Sequence, residues 1–183
     1  MPAWLRRIFW FINTFFMVPI FRLGLGFFLG NPLSGYIMVL KVRGRKSGRM
    51  RYAPVNYAIA NGRVYCVSGG RRSSAWYQNI KAHPQVELML PGGNVFGQVE
   101  EVSGEGERLL MIRQVLKNAG LAGFFEGYNP FTIADEELLK KTADLPLLRI
   151  QPLGPGSGAC DAGGWAWVWA LIFTGWLAWL LLR

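Results

Sequence analysis

Residues 36–69, YIMVLKVRGRKSGRMRYAPVNYAIANGRVYCVSG, alternate between β-branched or aromatic runs and short polar turns. Runs of this composition, bounded by turn residues, are typical of strands. Gly44 and Gly48 supply tight backbone positions for the first turn. Asn61-Gly62 is a strong signal for a hairpin at the second turn. The stretch therefore predicts three strands joined by two turns, at residues 36–43, 51–60 and 63–69.

The rest of the central region continues this pattern. A short helix is expected at 75–83, capped by Ser73 or Ser74 and ended by Pro84. An amphipathic helix is expected at 104–120. Six short strands with two or three helices predict a fold that is mainly β, a small closed or half-closed barrel with helices outside. Pro54, which has no N–H, indicates an edge or a bulge in the second strand. The other three strands are expected at 85–90, 95–102 and 145–152.

The charge of the chain is unevenly distributed. The net charge is +9, and thirteen of the twenty Lys and Arg residues precede Glu87, the first acidic residue. Residues 41–52, KVRGRKSGRMRY, hold six cations and no acid. Such asymmetry predicts an anionic partner. Nucleic acid, anionic lipid and a solvated hairpin are the simpler explanations, but nucleic acid is not expected, because no aromatic residue interleaves with the cations before Tyr52.

The basic turn matches neither common nucleotide motif, because Arg45 separates Gly44 from Lys46 and no GxGxxG is present. Instead, three pieces of sequence can form one pocket: GRKSG with Arg51 beyond it, SGGRR at 68–72, and the helix start AWYQN at 75–79. A glycine-rich turn points N–H groups at an anion, and a helix N-terminus adds partial positive charge. A tryptophan there can cover a planar ring. These pieces predict a site for a flat heterocycle with a polyanionic tail.

The motif GRKSG-x-x-R-x-x-P, followed by a hairpin and WYxNxxAxP, closely resembles the deazaflavin-dependent nitroreductase and quinone reductase family. The resemblance covers residues 34–152 and implies a split β-barrel oxidoreductase that uses coenzyme F-420. This 8-hydroxy-5-deazaflavin bears a phosphate and an oligoglutamate tail, which would explain the cations; FMN, the alternative cofactor, lacks that tail. The resemblance implies a coenzyme site formed by Arg45, Lys46, Ser47, Gly48, Arg51, Pro54, Ser68, Gly69, Arg71, Trp76 and Asn79.

The substrate is less well indicated than the coenzyme. The nitroreductases carry several tyrosines after the second helix, whereas FFEGYNPFTIADEELL holds Tyr128 alone. Tyr128 is the candidate proton donor to a quinone or enone oxygen, or else a buried aromatic. The loop between SGG and AWY is also shorter than in the nitroreductases. Of the two cysteines, Cys66 is expected in the core, and neither Cys66 nor Cys160 has metal-site spacing.

Both ends of the chain predict membrane contact. Residues 165–182, WAWVWALIFTGWLAWLLL, carry no charge and as a helix reach about 27 Å, so they predict a transmembrane anchor rather than a buried core helix. The N-terminal segment predicts an amphipathic helix in the membrane interface, with spanning or packing on the domain as alternatives. The domains are then an interfacial helix (1–33), a barrel (34–152), a linker (153–164) and an anchor (165–183).

These observations predict an oxidoreductase tethered to the cytoplasmic face of the cell membrane. It would pass a hydride from reduced deazaflavin to a lipophilic acceptor, with a membrane quinone as the leading candidate. The alternatives are an FMN-binding reductase and a non-catalytic module that binds the cofactor or anionic lipid.

Overall fold

The structure is a computed structural model that describes residues 3–30, 35–124, 129–158, 163 and 165–182. Its centre is a closed barrel of six antiparallel strands in the order β1-β2-β3-β6-β5-β4. The prediction of a six-stranded barrel with flanking helices is therefore confirmed. The strands are β1 (Ile37–Arg43), β2 (Met50–Ala60), β3 (Arg63–Val67), β4 (Gln85–Leu90), β5 (Gly93–Glu101) and β6 (Leu147–Pro155).

The helices lie outside the barrel. The first two are joined by a π-helical segment, Asn13–Met17, and the region from Ala3 to Arg22 is helical throughout. Short 3-10 turns occur at Gly26–Phe28, Arg71–Ser73 and Gly120–Phe124. The α-helices are α1 (Ala3–Ile12), α2 (Val18–Arg22), α3 (Ala75–Ala82), α4 (Glu105–Lys117), α5 (Asp135–Lys141) and α6 (Ala166–Leu181).

Alternate residues of the strands fill the barrel interior. Met38, Leu40 and Val42 of β1 are fully buried in one cluster with Cys66 and Ile150. This is the period of two that a strand imposes on its side chains. Cys66 is a core residue, as predicted, and burial raises the pKa of its thiol to about 12. A thiol with that pKa is unreactive at neutral pH.

Strand β2 changes its pairing partner along its length. It pairs with β1 over Met50–Asn56, but with β3 only over Tyr57–Ala60. Pro54 lies in the half that has β1 as its neighbour, so its missing N–H removes no bond to β3. The expectation of an edge at Pro54 is confirmed. The barrel wall is thereby open along this half of β2, and the cavities described below lie there.

The N-terminal helical region divides into two parts. Phe21 is 4% exposed and packs with Ile37, Val39 and Met89 on the outside of the barrel. The second part therefore packs on the domain, which was one of the alternatives to an interfacial helix. In the first part, aromatic side chains are more than half exposed. These are Trp4, Trp10 and Phe11.

The C-terminal region differs from its prediction in two respects. Strand β6 includes residues 153–155 of the predicted linker, because Gly154 and Pro155 pair with Phe96 and Val95 of β5. Helix α6 has 16 residues, about 24 Å, against a hydrocarbon core of about 30 Å. In the described parts of the chain, no helix combines the length and apolar character needed to cross a membrane. The transmembrane anchor is therefore not supported.

Candidate active site

The basic turn between β1 and β2 is closed by its own backbone. The Gly44 N–H donates to the Arg49 carbonyl (2.9 Å), and the Gly48 N–H donates to the Gly44 carbonyl (2.8 Å). Gly48 has φ of +65°, the left-handed region that L-residues adopt only at a cost of about 1–2 kcal/mol. A Cβ on Gly44 would lie 3.0 Å from the Arg49 carbonyl oxygen. Both glycines are thus explained by the turn itself.

Helix α3 fixes the position of this turn. The Asn79 side chain is 7% exposed, and its Oδ1 accepts hydrogen bonds from the Arg45 backbone N–H (3.2 Å) and from Arg45 Nη1 (3.1 Å). Arg45 Nη1 also lies 3.4 Å from the Ala75 carbonyl oxygen. Arg45 is therefore a link between turn and helix, while Lys46, Ser47 and Arg51 are among the other polar groups of the adjoining cavity.

The basic cavity, with a volume of about 590 Å³, lies between the turn, the open half of β2, α3 and the N-terminal helical region. It brings together most of the predicted coenzyme residues. Three cations, Arg45, Lys46 and Arg51, line it alongside the ring of Trp76. The predicted residues in its wall are Arg45, Lys46, Ser47, Arg51, Pro54, Trp76 and Asn79.

The apolar cavity, of about 310 Å³, lies next to the basic cavity. Pro54, Trp76 and Asn13 line both, so these three residues form the boundary between them. Trp76 also packs against the barrel core, so it is both a core residue and a cavity wall. The remaining walls are mainly apolar. They come from α1, from β2, from the end of β3 and the loop after it, from α4 and the chain just after it, and from Leu145. Among the described lining residues, none has a side chain that titrates.

The loop after β3 places its predicted residues differently. Gly69 lines the apolar cavity. Ser68 is fully buried, and its Oγ lies 3.0 Å from the Arg71 carbonyl oxygen and 2.8 Å from Ser74 Oγ, so it holds the loop together. Arg71 pairs with Asp144 (2.7 Å) and lines neither cavity. The resemblance assigned Ser68 and Arg71 to the coenzyme, but loop closure and an ion pair occupy them in this structure.

Two other predicted residues lie apart from the cavity walls. Gly48 shapes the basic turn without lining either cavity. Tyr128 falls outside the described residues, so its role as a proton donor stays a prediction.

The part of the chain that the structure describes contains no group of three or more His, Cys, Asp or Glu residues able to hold a metal ion.

The N-terminal helical region contributes a wall that the sequence reasoning missed. Asn13 and Thr14, in the π-helical segment, line the basic cavity, and Phe9 and Asn13 line the apolar one. A π-helical turn within an α-helix often marks a functional site. The available signal was the polar pair Asn13-Thr14 within an otherwise apolar run.

The residues present fit a deazaflavin coenzyme. Cationic and hydroxyl donors at Lys46, Ser47 and Arg51 suit a phosphate and carboxylate tail. The aromatic face of Trp76 beside Pro54 suits a planar ring. The volume of the basic cavity falls within the range typical of cofactor sites.

Comparisons with solved structures give matches of low sequence identity and TM-scores below 0.5. A putative 5-nitroimidazole antibiotic resistance protein from Bacteroides thetaiotaomicron VPI-5482 is 10% identical, with a TM-score of 0.47, over 64% of this chain and 73% of that one. An F420-H2 dependent reductase is 26% identical, with a TM-score of 0.42, over 62% of this chain and 91% of that one. An F420 reductase is 22% identical, with a TM-score of 0.44, over 69% and 90%.

A comparison with curated protein sequences gives no significant match. The profile of one family, described as F420H(2)-dependent quinone reductase, matches residues 21–125. The match spans more than half of the chain and contains the basic turn, both motifs of the resemblance and helix α3. The chain therefore belongs to the F420H(2)-dependent quinone reductase family, and it is an oxidoreductase whose coenzyme is F-420.

Proposed function

We propose that this protein reduces a lipophilic quinone with reduced coenzyme F-420 at the surface of a membrane. The observation that carries the proposal is the common boundary of the two cavities. Pro54 and Trp76 line both the cavity that holds the cations and the cavity that is almost entirely apolar. A polyanionic coenzyme and an uncharged acceptor can thus meet at one boundary.

The basic cavity would hold the coenzyme. Lys46 and Arg51 would pair with its phosphate or tail carboxylates, and Ser47 would donate a hydrogen bond. Trp76 would cover one face of the ring. When bound, the reduced deazaflavin supplies a hydride, and a quinone that takes the hydride and one proton becomes a hydroquinone.

The apolar cavity would hold the quinone head group. Its walls include Val55, Val115 and Leu116, and its polar lining side chains, Asn13 and Asn56, are uncharged amides. An uncharged ring loses little solvation energy in such surroundings. With no titrating side chain among the described lining residues, the proton would come from water or from Tyr128, the predicted donor.

Membrane attachment would use the exposed apolar ends of the chain. Every residue from Leu171 to Leu182 is exposed, and all except Thr174 and Gly175 are apolar. An apolar surface of this extent is typical of a lipid or protein contact. Exposed aromatics of α1 add to it, including Trp4 and Trp10. The excess of cations favours the anionic cytoplasmic leaflet as the site of attachment.

The activity is tested with the purified full-length protein, reduced F-420 and two quinones, one with a long isoprenoid tail and one without. We expect oxidation of the coenzyme with both, and tighter binding of the long-tailed quinone. Absence of coenzyme binding by the folded protein would overturn the proposal. Coenzyme binding without oxidation by either quinone would instead favour a non-catalytic module, and tight binding of FMN in place of F-420 would favour a flavin reductase.

Attachment is tested by co-sedimentation with vesicles that contain anionic phospholipid. The variant replaces Leu171, Phe173 and Leu180 with Gln, and the matched control is Leu110→Gln, an equally exposed leucine on α4. We expect the triple variant to stay in the supernatant and the control to bind as wild type does, with coenzyme affinity unchanged in both. Equal sedimentation of all three proteins would contradict attachment through α6.

A further inference from the structure

The π-helical segment contains a carbonyl that cannot accept the hydrogen bond of a regular α-helix. In an α-helix the Phe15 carbonyl would accept a hydrogen bond from the N–H four residues later. That residue is Pro19, which has no N–H. A donor from elsewhere in the chain can take the place of this missing α-helical N–H.

Helix α6 supplies that donor. The Trp169 indole Nε1–H donates to the Phe15 carbonyl at 2.6 Å, across 154 residues of sequence. The rings of Phe16 and Trp169 lie 5.1 Å apart, and those of Phe15 and Trp165 lie 5.4 Å apart. Ala166, one turn before Trp169, is fully buried. The first turn of α6 is thus packed on the protein, whereas the helix from Leu171 onward is exposed.

This contact lies behind one wall of the coenzyme site. Thr14 and Val18 line the basic cavity, and they also line a smaller cavity of about 260 Å³ that is bounded by Trp165 and Ala166. Arg51 lines both cavities as well. The start of α6 therefore closes the outer side of the region in which Arg51 would meet the coenzyme.

We infer that Trp169 is a positioning residue for the coenzyme site. By satisfying the Phe15 carbonyl, it holds the π-helical segment in place, with Asn13 and Thr14 at the cavity wall. Helix α6 then has two roles: its first turn completes the site, and its exposed remainder is available for membrane contact. The inference rests on the proposed use of the basic cavity for the coenzyme.

The first test compares three single variants of the full chain. Trp169→Phe keeps an aromatic ring but removes the donor, and Trp169→Ala removes both. Trp167→Phe is the matched control, because Trp167 lies on the same helix and is 53% exposed. Loss of one neutral hydrogen bond would raise a dissociation constant by roughly 2- to 13-fold. We expect Trp169→Phe to weaken F-420 binding within that range, Trp169→Ala to weaken it further, and the control to bind as wild type does.

A second readout needs no coenzyme. Amide hydrogen exchange over residues 10–18 reports directly on how firmly this wall is held. We expect faster exchange there in Trp169→Phe, with unchanged exchange in the barrel strands. If wild type does not bind F-420, the proposed function fails, while the exchange result still decides whether Trp169 holds the segment.

A double-mutant cycle separates the hydrogen bond from simple packing. Pro19→Ala restores an N–H that can donate to the Phe15 carbonyl within the helix. In that background we expect Trp169→Phe to change coenzyme affinity and exchange by less than about 2-fold, because the carbonyl no longer needs the indole. An equal effect in both backgrounds, or wild-type exchange and affinity in Trp169→Phe alone, would overturn the inference.

Discussion

The carboxamide oxygen of Asn79 accepts two hydrogen bonds from Arg45, one from its backbone N–H and one from its guanidinium. Asn79 lies in α3, whereas Arg45 lies in the turn between β1 and β2, 34 residues earlier. The two sequence motifs that resemble the family are therefore joined by direct contact. The basic turn takes its position from α3, and the same helix places Trp76 beside it.

Replacing Asn79 with Leu should loosen the turn. The substitution leaves the Arg45 N–H without its partner in a partly buried place, which costs about 1–3 kcal/mol. We expect a reduction of that size in the free energy of unfolding, measured by urea denaturation, together with weaker binding of F-420. Lys81→Ala, an exposed change on the same helix, is the control. Unaltered coenzyme affinity in Asn79→Leu would show that the turn does not depend on α3.

Removing the charge of Lys46 should weaken coenzyme binding strongly. Lys46 lines the basic cavity, and no ion pair engages it among the residues that the structure describes. A charged hydrogen bond to an anion contributes roughly 1.5–3 kcal/mol, so Lys46→Ala should raise the dissociation constant by about 10- to 150-fold.

Fluorescence titration at two salt concentrations measures this effect. The difference between wild type and Lys46→Ala should shrink when salt is raised or when the glutamate tail is shortened, because part of the attraction is long-range. Lys140→Ala, an exposed lysine of α5, is the matched control. A dissociation constant unchanged by Lys46→Ala, with weaker vesicle binding instead, would assign the turn to lipid.

The left-handed conformation of Gly48 predicts that alanine substitutions at two turn glycines, Gly48 and Gly92, differ in their effect on stability. Gly48→Ala should reduce the free energy of unfolding by about 1–2 kcal/mol, because alanine is strained at φ of +65°. Gly92→Ala should have a much smaller effect, since a Cβ at Gly92 would meet nothing within 4 Å and Gly92 does not have a positive φ. Thermal unfolding of the two variants in parallel checks this, and equal shifts in Tm would contradict it.

The barrel and the tight turn between β1 and β2 could be predicted from local sequence. Three signals each act within a few residues of chain. They are the alternation of buried residues, Asn61-Gly62 and the glycines of the basic turn. The contacts of the N-terminal and C-terminal helices could not be predicted in this way. Whether an apolar helix meets lipid or protein depends on distant contacts, such as that between Trp169 and the Phe15 carbonyl. The orientation of Arg71 likewise depends on Asp144, 73 residues later, as its partner.

A buried carboxylate outside the coenzyme site predicts a pH dependence of stability. Glu87 is 4% exposed on β4, opposite Lys41 of β1, whose Nζ lies 3.0 Å from Glu87 Oε2. The Ser157 backbone N–H donates to Glu87 Oε1 at 2.6 Å, and the Ser157 hydroxyl donates to the same oxygen. Burial by itself would raise the pKa of Glu87, but the hydrogen bonds from Ser157 and the Lys41 ammonium lower it below the ordinary value of 4.5.

A folded-state pKa below the unfolded one stabilises the protein above about pH 4.5, and this contribution is lost as the pH falls through the folded pKa. Glu87→Gln should therefore lower the free energy of unfolding by about 1.5–3 kcal/mol at pH 7. The difference in the free energy of unfolding between wild type and Glu87→Gln should shrink below pH 4.5. The other carboxylates are present in both proteins, so their protonation does not contribute to this difference. Urea denaturation at pH 7 and pH 3.5 measures it. The control is Glu137→Gln, whose exposed pair with Lys141 should contribute less than about 0.5 kcal/mol at either pH. A difference between wild type and Glu87→Gln that is the same at both pH values would mean that the charge of Glu87 does not stabilise the fold.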